Sequence, residues 1–119
     1  MHNVTTNGAS IPALGLGTFR MPGEDVLRIV PYALKAGFRH VDTAQIYGNE
    51  AEVGEAIATS GVQRGDIFLT TKVWVDNYKH DAFIASVDES LTKLKTDYVD
   101  LLLLHWPNEA VSLAEQIGA

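Results

Sequence analysis

The sequence predicts an α/β fold assembled from parallel strand–helix units. Strand-like and helix-like patterns alternate four times along the chain, and Ile67–Leu69 and Leu101–Leu104 are apolar on successive residues. Alternation of this kind implies right-handed crossovers and a parallel sheet. Unbroken apolar runs are what strands covered on both faces carry. With 119 residues the chain is one domain in size. An open doubly wound sheet and a closed eight-stranded barrel share this grammar. A full barrel takes ~250 residues, so only about half of one would fit here.

Each element has its own signal. An apolar stretch from Ile11 to Thr18 reads as a strand ending in glycine turns. From Glu24 to Ala36 the pattern turns helical, with Val26, Val30 and Ala33 at helical spacing and Gly37 at the stop position. Pro31 falls inside that helix, where it removes one backbone bond and predicts a kink. His40-Val41-Asp42 is a short second strand, and a second helix follows from Glu50 to Thr59. Asn49 stands at its cap position with Glu52 three residues on, the capping-box offset. Ile67 to Lys72 is the third strand, rich in residues that favour extended structure. A third helix spans Asp81 to Leu94, with Ile84, Val87, Leu91 and Leu94 along its expected buried face. Tyr98 to Leu104 is the fourth strand, and Ser112 to Ala119 reads as the start of a fourth helix.

Composition narrows the functional classes. Nine Lys and Arg stand against fifteen Asp and Glu, a net charge of −6, and no basic cluster occurs. Such a chain is not built to hold nucleic acid or an anionic membrane. Cysteine is absent, which excludes disulfides, thiolate metal sites and a Cys nucleophile. The four histidines show no paired ligand spacing, so no metal site is expected. Met1-His2-Asn3 lacks the basic and apolar regions of a signal peptide, and the longest apolar run, Leu101–Leu104, is far below the ~20 residues that span a bilayer. A cytoplasmic chain is the expectation.

The chemistry is expected at the C-terminal ends of the strands. Asp42 stands at the end of the second strand, Lys72 at the end of the third and His105 just after the fourth. Their separations correspond to about one strand–helix unit each. In parallel barrels this end carries catalysis and the opposite end mostly stability. Tyr47, in the loop after Asp42, can reach the same centre. Each residue alone reads as readily as packing, a turn cap or solvated surface. Joint placement is the signal: three strand ends in succession are polar and complementary in charge, each preceded by apolar residues.

Such a set suits proton delivery to a carbonyl oxygen. A free phenol ionises near ~10, too high for an efficient acid at neutrality. A neighbouring ammonium favours the phenolate. A hundredfold gain in acidity takes ~2.7 kcal/mol. One unit charge ~4 Å away at an effective dielectric of ~20 supplies a gross ~4 kcal/mol. Asp42 would keep the buried Lys72 charged, and His105 would orient the substrate oxygen. Proton donation leaves a hydride donor to be found, and a nicotinamide cofactor fills that gap. A strand-end lysine also permits a Schiff-base aldolase.

Four stretches now carry a resemblance: Gly15-Leu16-Gly17-Thr18-Phe19; Gly37 through Tyr47-Gly48-Asn49-Glu50 to Val53-Gly54; Leu69 to Trp74; and Asp100 through His105-Trp106-Pro107. In that order they resemble the aldo-keto reductase family over essentially the whole chain, and most closely its bacterial 2,5-diketo-D-gluconate reductase branch. The resemblance implies a (β/α)8 TIM barrel of which residues 1–119 are the N-terminal half. It implies NADPH-dependent reduction of aldehydes and ketones, among them small 2-oxoaldehydes or keto-sugar acids. Asp42, Tyr47, Lys72 and His105 match the catalytic tetrad, with Tyr47 as general acid. Gly17, Thr18 and Asp42 would lie near the nicotinamide, and Phe19, Trp74 and Trp106 would line the substrate pocket. The Gly15-x-Gly17 pair is a strand-end turn, because a dinucleotide fingerprint needs a third glycine and an immediate helix. Four strands without the other four leave open sheet edges, so the expected partner is a C-terminal half-barrel or a second copy. The alternative is a non-catalytic half-barrel that assembles into an oligomer without cofactor.

Overall fold

The computed structural model describes residues 3–6, 9–12 and 14–104. It opens with an antiparallel hairpin, β1 (Asn3–Thr6) and β2 (Ala9–Pro12), in which Thr6 pairs with Ala9. A four-stranded parallel sheet follows, in the order β3 (Gly15–Gly17), β4 (His40–Asp42), β5 (Phe68–Val73) and β6 (Leu101–Leu104). The crossovers are α1 (Gly23–Lys35), α2 (Glu50–Thr59) and α3 (His80–Lys93). Consecutive strands are neighbours throughout, as in a barrel wall and unlike a doubly wound sheet, whose order reverses at a switch point.

Alternation along the strands separates two faces. Leu16, Val41, Leu69, Thr71 and Val73 point toward the helices, and the last four are buried. Against them pack Val26, Val30 and Leu34 of α1, Val53, Ala56 and Ile57 of α2, and Leu94 after α3. The opposite face carries His40 and Asp42 of β4, Thr70 and Lys72 of β5, and Leu101 and Leu103 of β6. This concave face is the interior of a barrel wall, and Leu103 is 41% exposed on it. The expectation that both faces of Leu101–Leu104 are covered therefore holds only for the helix side.

Three local expectations are corrected. The single strand read from Ile11 to Thr18 is two strands, the second arm of the hairpin and β3, with Leu14 in a bend between them. Asn49 occupies the α2 cap position but its side chain makes no cap bond, so the capping box with Glu52 is not formed. In α3 the buried residues are Phe83 and Ser90, whereas Ile84 is exposed and Val87 and Leu91 only partly covered. Ser90 is drawn inward by a hydrogen bond that periodicity does not register. The helix α1 runs on through Pro31, with Lys35 in its last turn.

The end of the sheet remote from the site is fastened by Arg64. Its guanidinium donates to the carbonyls of Ile67 and Tyr98, to Thr96 Oγ1 and to Asp100 Oδ2, and lies over the Tyr98 ring. One side chain thus joins the turn before β5 to the turn before β6.

Candidate active site

The backbone builds the rim in steps. Thr18 N–H and Oγ1 both donate to the Asp42 carbonyl, at 3.0 and 3.1 Å, which carries the end of β3 across to β4. Beyond Asp42 the chain passes Thr43 and Ala44, both fully buried, and enters a 3-10 turn over Gln45–Tyr47. Gly48 closes that turn at φ +70°, a left-handed conformation that glycine adopts without a Cβ penalty. Tyr47 is thereby set beside the strand ends.

The three described residues of the expected tetrad meet. Lys72 Nζ donates to Asp42 Oδ1, to the Thr43 carbonyl at 3.1 Å and to the Tyr47 hydroxyl oxygen at 3.3 Å. The ammonium also lies 5.1 Å from the Tyr47 ring centroid. Lys72 is mostly buried and Asp42 about two-thirds buried, so the ion pair stands at the wall of the opening and partly outside bulk solvent. His105 and Trp106 lie outside the described residues.

Phe19 sits on the other side of Tyr47, with ring centroids 5.2 Å apart and planes tilted by 48°. At 62% exposure it is an unusually open phenylalanine. Trp74 follows β5 at the same end and is half-buried. Gly17 is exposed, and among the described residues a Cβ there would meet nothing within 4 Å. Thr18 is fully buried, and its hydroxyl acts from beneath the rim. His40, at the first position of β4, lies well below the site and shares a hydrogen bond with Thr70 Oγ1 at 3.1 Å.

Two polar residues that sequence reasoning gave no part in the site, Asn49 being read only as a helix cap, support this rim. Asn49 is buried. Its Oδ1 accepts from Thr43 Oγ1 at 2.9 Å, and its Nδ2 donates to the carbonyls of Thr18 and Met21 at 2.9 and 3.1 Å. That single amide binds the loops after β3 and β4 together. Glu50 is only 3% exposed and accepts from Thr71 Oγ1 at 2.6 Å and Ser90 Oγ at 3.1 Å. Burial pushes its carboxyl above the usual range, and desolvation outweighs the opposing hydrogen bonds. The motif Tyr47-Gly48-Asn49-Glu50 contains both residues, but only their tertiary partners reveal what they hold. Among the described residues no group of three His, Cys, Asp or Glu could hold a metal ion. No described helix is long and apolar enough to cross a membrane.

A row of parallel strands whose C-terminal ends gather Asp, Lys and Tyr has the layout of a barrel enzyme. The aldo/keto reductase family model matches residues 13–119. A methylglyoxal reductase DkgB from Salmonella typhi is 56% identical over 112 residues, covering 92% of this chain and 42% of that protein. A crystal structure provisionally assigned as a 2,5-diketo-D-gluconic acid reductase B superposes with a TM-score of 0.96 at 77% identity, over 99% of this chain and 42% of that one. An aldo/keto reductase from Brucella melitensis superposes with a TM-score of 0.86 at 50% identity, over 89% and 41% of the two chains. This chain belongs to the aldo/keto reductase family. It forms part of the family's barrel and spans about two-fifths of the length of these relatives.

Proposed function

We propose that this chain carries the proton-donating site of an NADPH-dependent reductase of aldehydes and ketones, with Tyr47 as general acid. The observation that carries this reading is the single ammonium of Lys72 hydrogen-bonded to both Asp42 and the Tyr47 hydroxyl oxygen. As a carbonyl is reduced, negative charge grows on its oxygen and a proton must arrive there. Tyr47 supplies the proton, and Lys72 stabilises the charge that appears on the phenolic oxygen as the proton leaves. Asp42 holds Lys72 in place and balances its charge in a partly buried setting.

The donor set fits a nicotinamide partner, because it offers a proton and contains no reducing group. Gly17, Thr18 and Asp42 are the residues proposed to lie near the nicotinamide, the exposed Gly17 on its approach and the buried Thr18 holding Asp42 from beneath. When bound, the cofactor supplies the hydride that adds to the carbonyl carbon. His105 is proposed to orient the substrate oxygen. Phe19, Trp74 and Trp106 are proposed as flat apolar walls suited to a small carbonyl compound. Small 2-oxoaldehydes and keto-sugar acids are the proposed substrates, in keeping with the names of the similar proteins. Activity is proposed to require a completed barrel.

The exposed concave face at Leu103 motivates a second reading, a half-barrel that oligomerises without cofactor. One experiment separates the two. In the full-length protein, Tyr47→Phe is expected to lower kcat by about 10²-fold or more while the NADPH Kd stays within about twofold. Retained turnover refutes Tyr47 as the acid. A stable homo-oligomer with no NADPH binding in the unmutated protein favours the second reading.

A further inference from the structure

Gln45, two residues before Tyr47, has no part in the proton chemistry, yet both ends of its amide are fully engaged. Its Oε1 accepts from the Trp74 backbone N–H and from Asn77 Nδ2, both at 3.0 Å. Its Nε2 donates to Ser86 Oγ at 3.1 Å and Ser90 Oγ at 3.2 Å. The backbone N–H of Trp74 can only donate, which fixes which end of the amide is the oxygen. Ser90 in turn donates to Glu50, whose other oxygen is held by Thr71 of β5.

These contacts do not serve the turn that Gln45 sits in. That turn is closed by its own backbone, from Tyr47 N to the Ala44 carbonyl and from Gly48 N to the Gln45 carbonyl. Every side-chain bond of Gln45 runs instead to the next strand–helix unit, the loop after β5 and the inner face of α3. Tyr47 and Trp74 belong to different strand–helix units. The side chain of Gln45 links those units.

We propose that Gln45 is a positioning residue that sets the Trp74 wall against the Tyr47 acid and thereby tunes recognition of the carbonyl substrate. This rests on the reading of Tyr47 as the acid. The amide is matched to its site because it offers an acceptor toward Trp74 and donors toward the two serines. A carboxylate would keep the first and lose the second. It would also face the buried Glu50 across Ser90, beside Glu89 and Lys93, which line the same hollow of about 150 Å³.

The test uses the full-length protein with methylglyoxal as the probe substrate, and compares Gln45→Leu and Gln45→Glu with the unmutated enzyme. Gln45→Leu is expected to raise KM about tenfold, with a smaller fall in kcat and the NADPH Kd within about twofold. Gln45→Glu is expected to match that loss at pH 8 and to recover toward the unmutated kcat/KM as pH falls toward 5, because a protonated carboxyl regains a donor. A merely structural role predicts equal losses in kcat and KM that follow the melting temperature, and no recovery with pH. That result, or a Gln45→Leu enzyme within twofold of the unmutated kcat/KM, overturns the proposal. If Gln45→Leu does not fold, the pH dependence of Gln45→Glu decides alone. Failure of the parent reading shows separately, as turnover retained by Tyr47→Phe.

Discussion

Gly54 lies in the middle of α2, where helix propensity alone makes alanine the better residue by about 1 kcal/mol. The structure predicts the opposite sign. A Cβ on Gly54 would stand 2.5 Å from the Lys93 carbonyl oxygen, 2.6 Å from the Leu94 carbonyl carbon and 2.7 Å from Leu94 Cα. Carbon contacts are ordinarily about 3.5 Å or more, so α2 and the end of α3 must part by roughly 1 Å. All three obstructing atoms are backbone, and no side chain can swing aside. A gap of that size forfeits a quarter to a half of the dispersion energy along the seam where Val53, Ile57 and Leu94 pack. Overpacking costs about 1–3 kcal/mol, and the upper end applies when only backbone can yield. Subtracting the propensity gain leaves Gly54→Ala destabilising by about 2 kcal/mol. Urea unfolding of the full-length protein, followed by tryptophan fluorescence, should show the midpoint falling by about 1 M at unchanged slope. Gly65→Ala is the control, since its Cβ would meet nothing within 4 Å. A midpoint for Gly54→Ala equal to or above the unmutated value would falsify the close approach of α2 to α3.

Two further outcomes are expected. Asn49→Ala removes one amide and strands Thr43 Oγ1 and the Thr18 and Met21 carbonyls, so it should cost about 3 kcal/mol; Asn49→Asp, which keeps an acceptor but loses both donors, should not restore the melting temperature. Glu50 has a raised pKa in the fold, so above its unfolded value the unfolded chain binds fewer protons than the folded one, and this group's contribution is complete at low pH and lost as pH rises through the folded pKa. Glu50→Gln should abolish that loss, seen as a flatter dependence of unfolding free energy on pH above about 4.5; an unchanged slope would show that Glu50 is not desolvated in the fold.

The elements most legible in the sequence were those bounded by local chemistry. His40–Asp42 and Glu50–Thr59 fall where the patterns put them, and α1 and α3 are each displaced by one residue. The hairpin before β3 was not read, although Asn7-Gly8 between Val4-Thr5-Thr6 and Ala9 is the dipeptide that two-residue hairpin loops favour. The convergence of Asp42, Lys72 and Tyr47 was legible because a strand–helix unit has a nearly fixed length, and equal spacing along the chain becomes adjacency around the rim. Gln45, Asn49 and Glu50 were not legible as supports. Apart from Thr43, which precedes Asn49 closely in sequence, their partners lie 21 to 45 residues away, and a polar residue in a loop carries no mark of whether it meets water or another loop.

Proton counting at Lys72 separates the chemistries that a strand-end lysine allows. An ammonium has three donors, and here they have three acceptors: Asp42 Oδ1, the Thr43 carbonyl and the Tyr47 hydroxyl oxygen. A Schiff-base role would require Lys72 to shed a proton and turn a lone pair toward substrate. That would abandon at least one acceptor and leave Asp42 with an uncompensated charge in a partly buried place. Tyr47 would keep its bond from Lys72 while acting as the proposed acid. Its oxygen already accepts from Lys72, and in the proposed step its hydroxyl gives up its proton. As that proton departs, the hydrogen bond from the ammonium becomes charge-assisted and strengthens. The arrangement therefore fits the proposed proton donation by Tyr47 better than attack by Lys72.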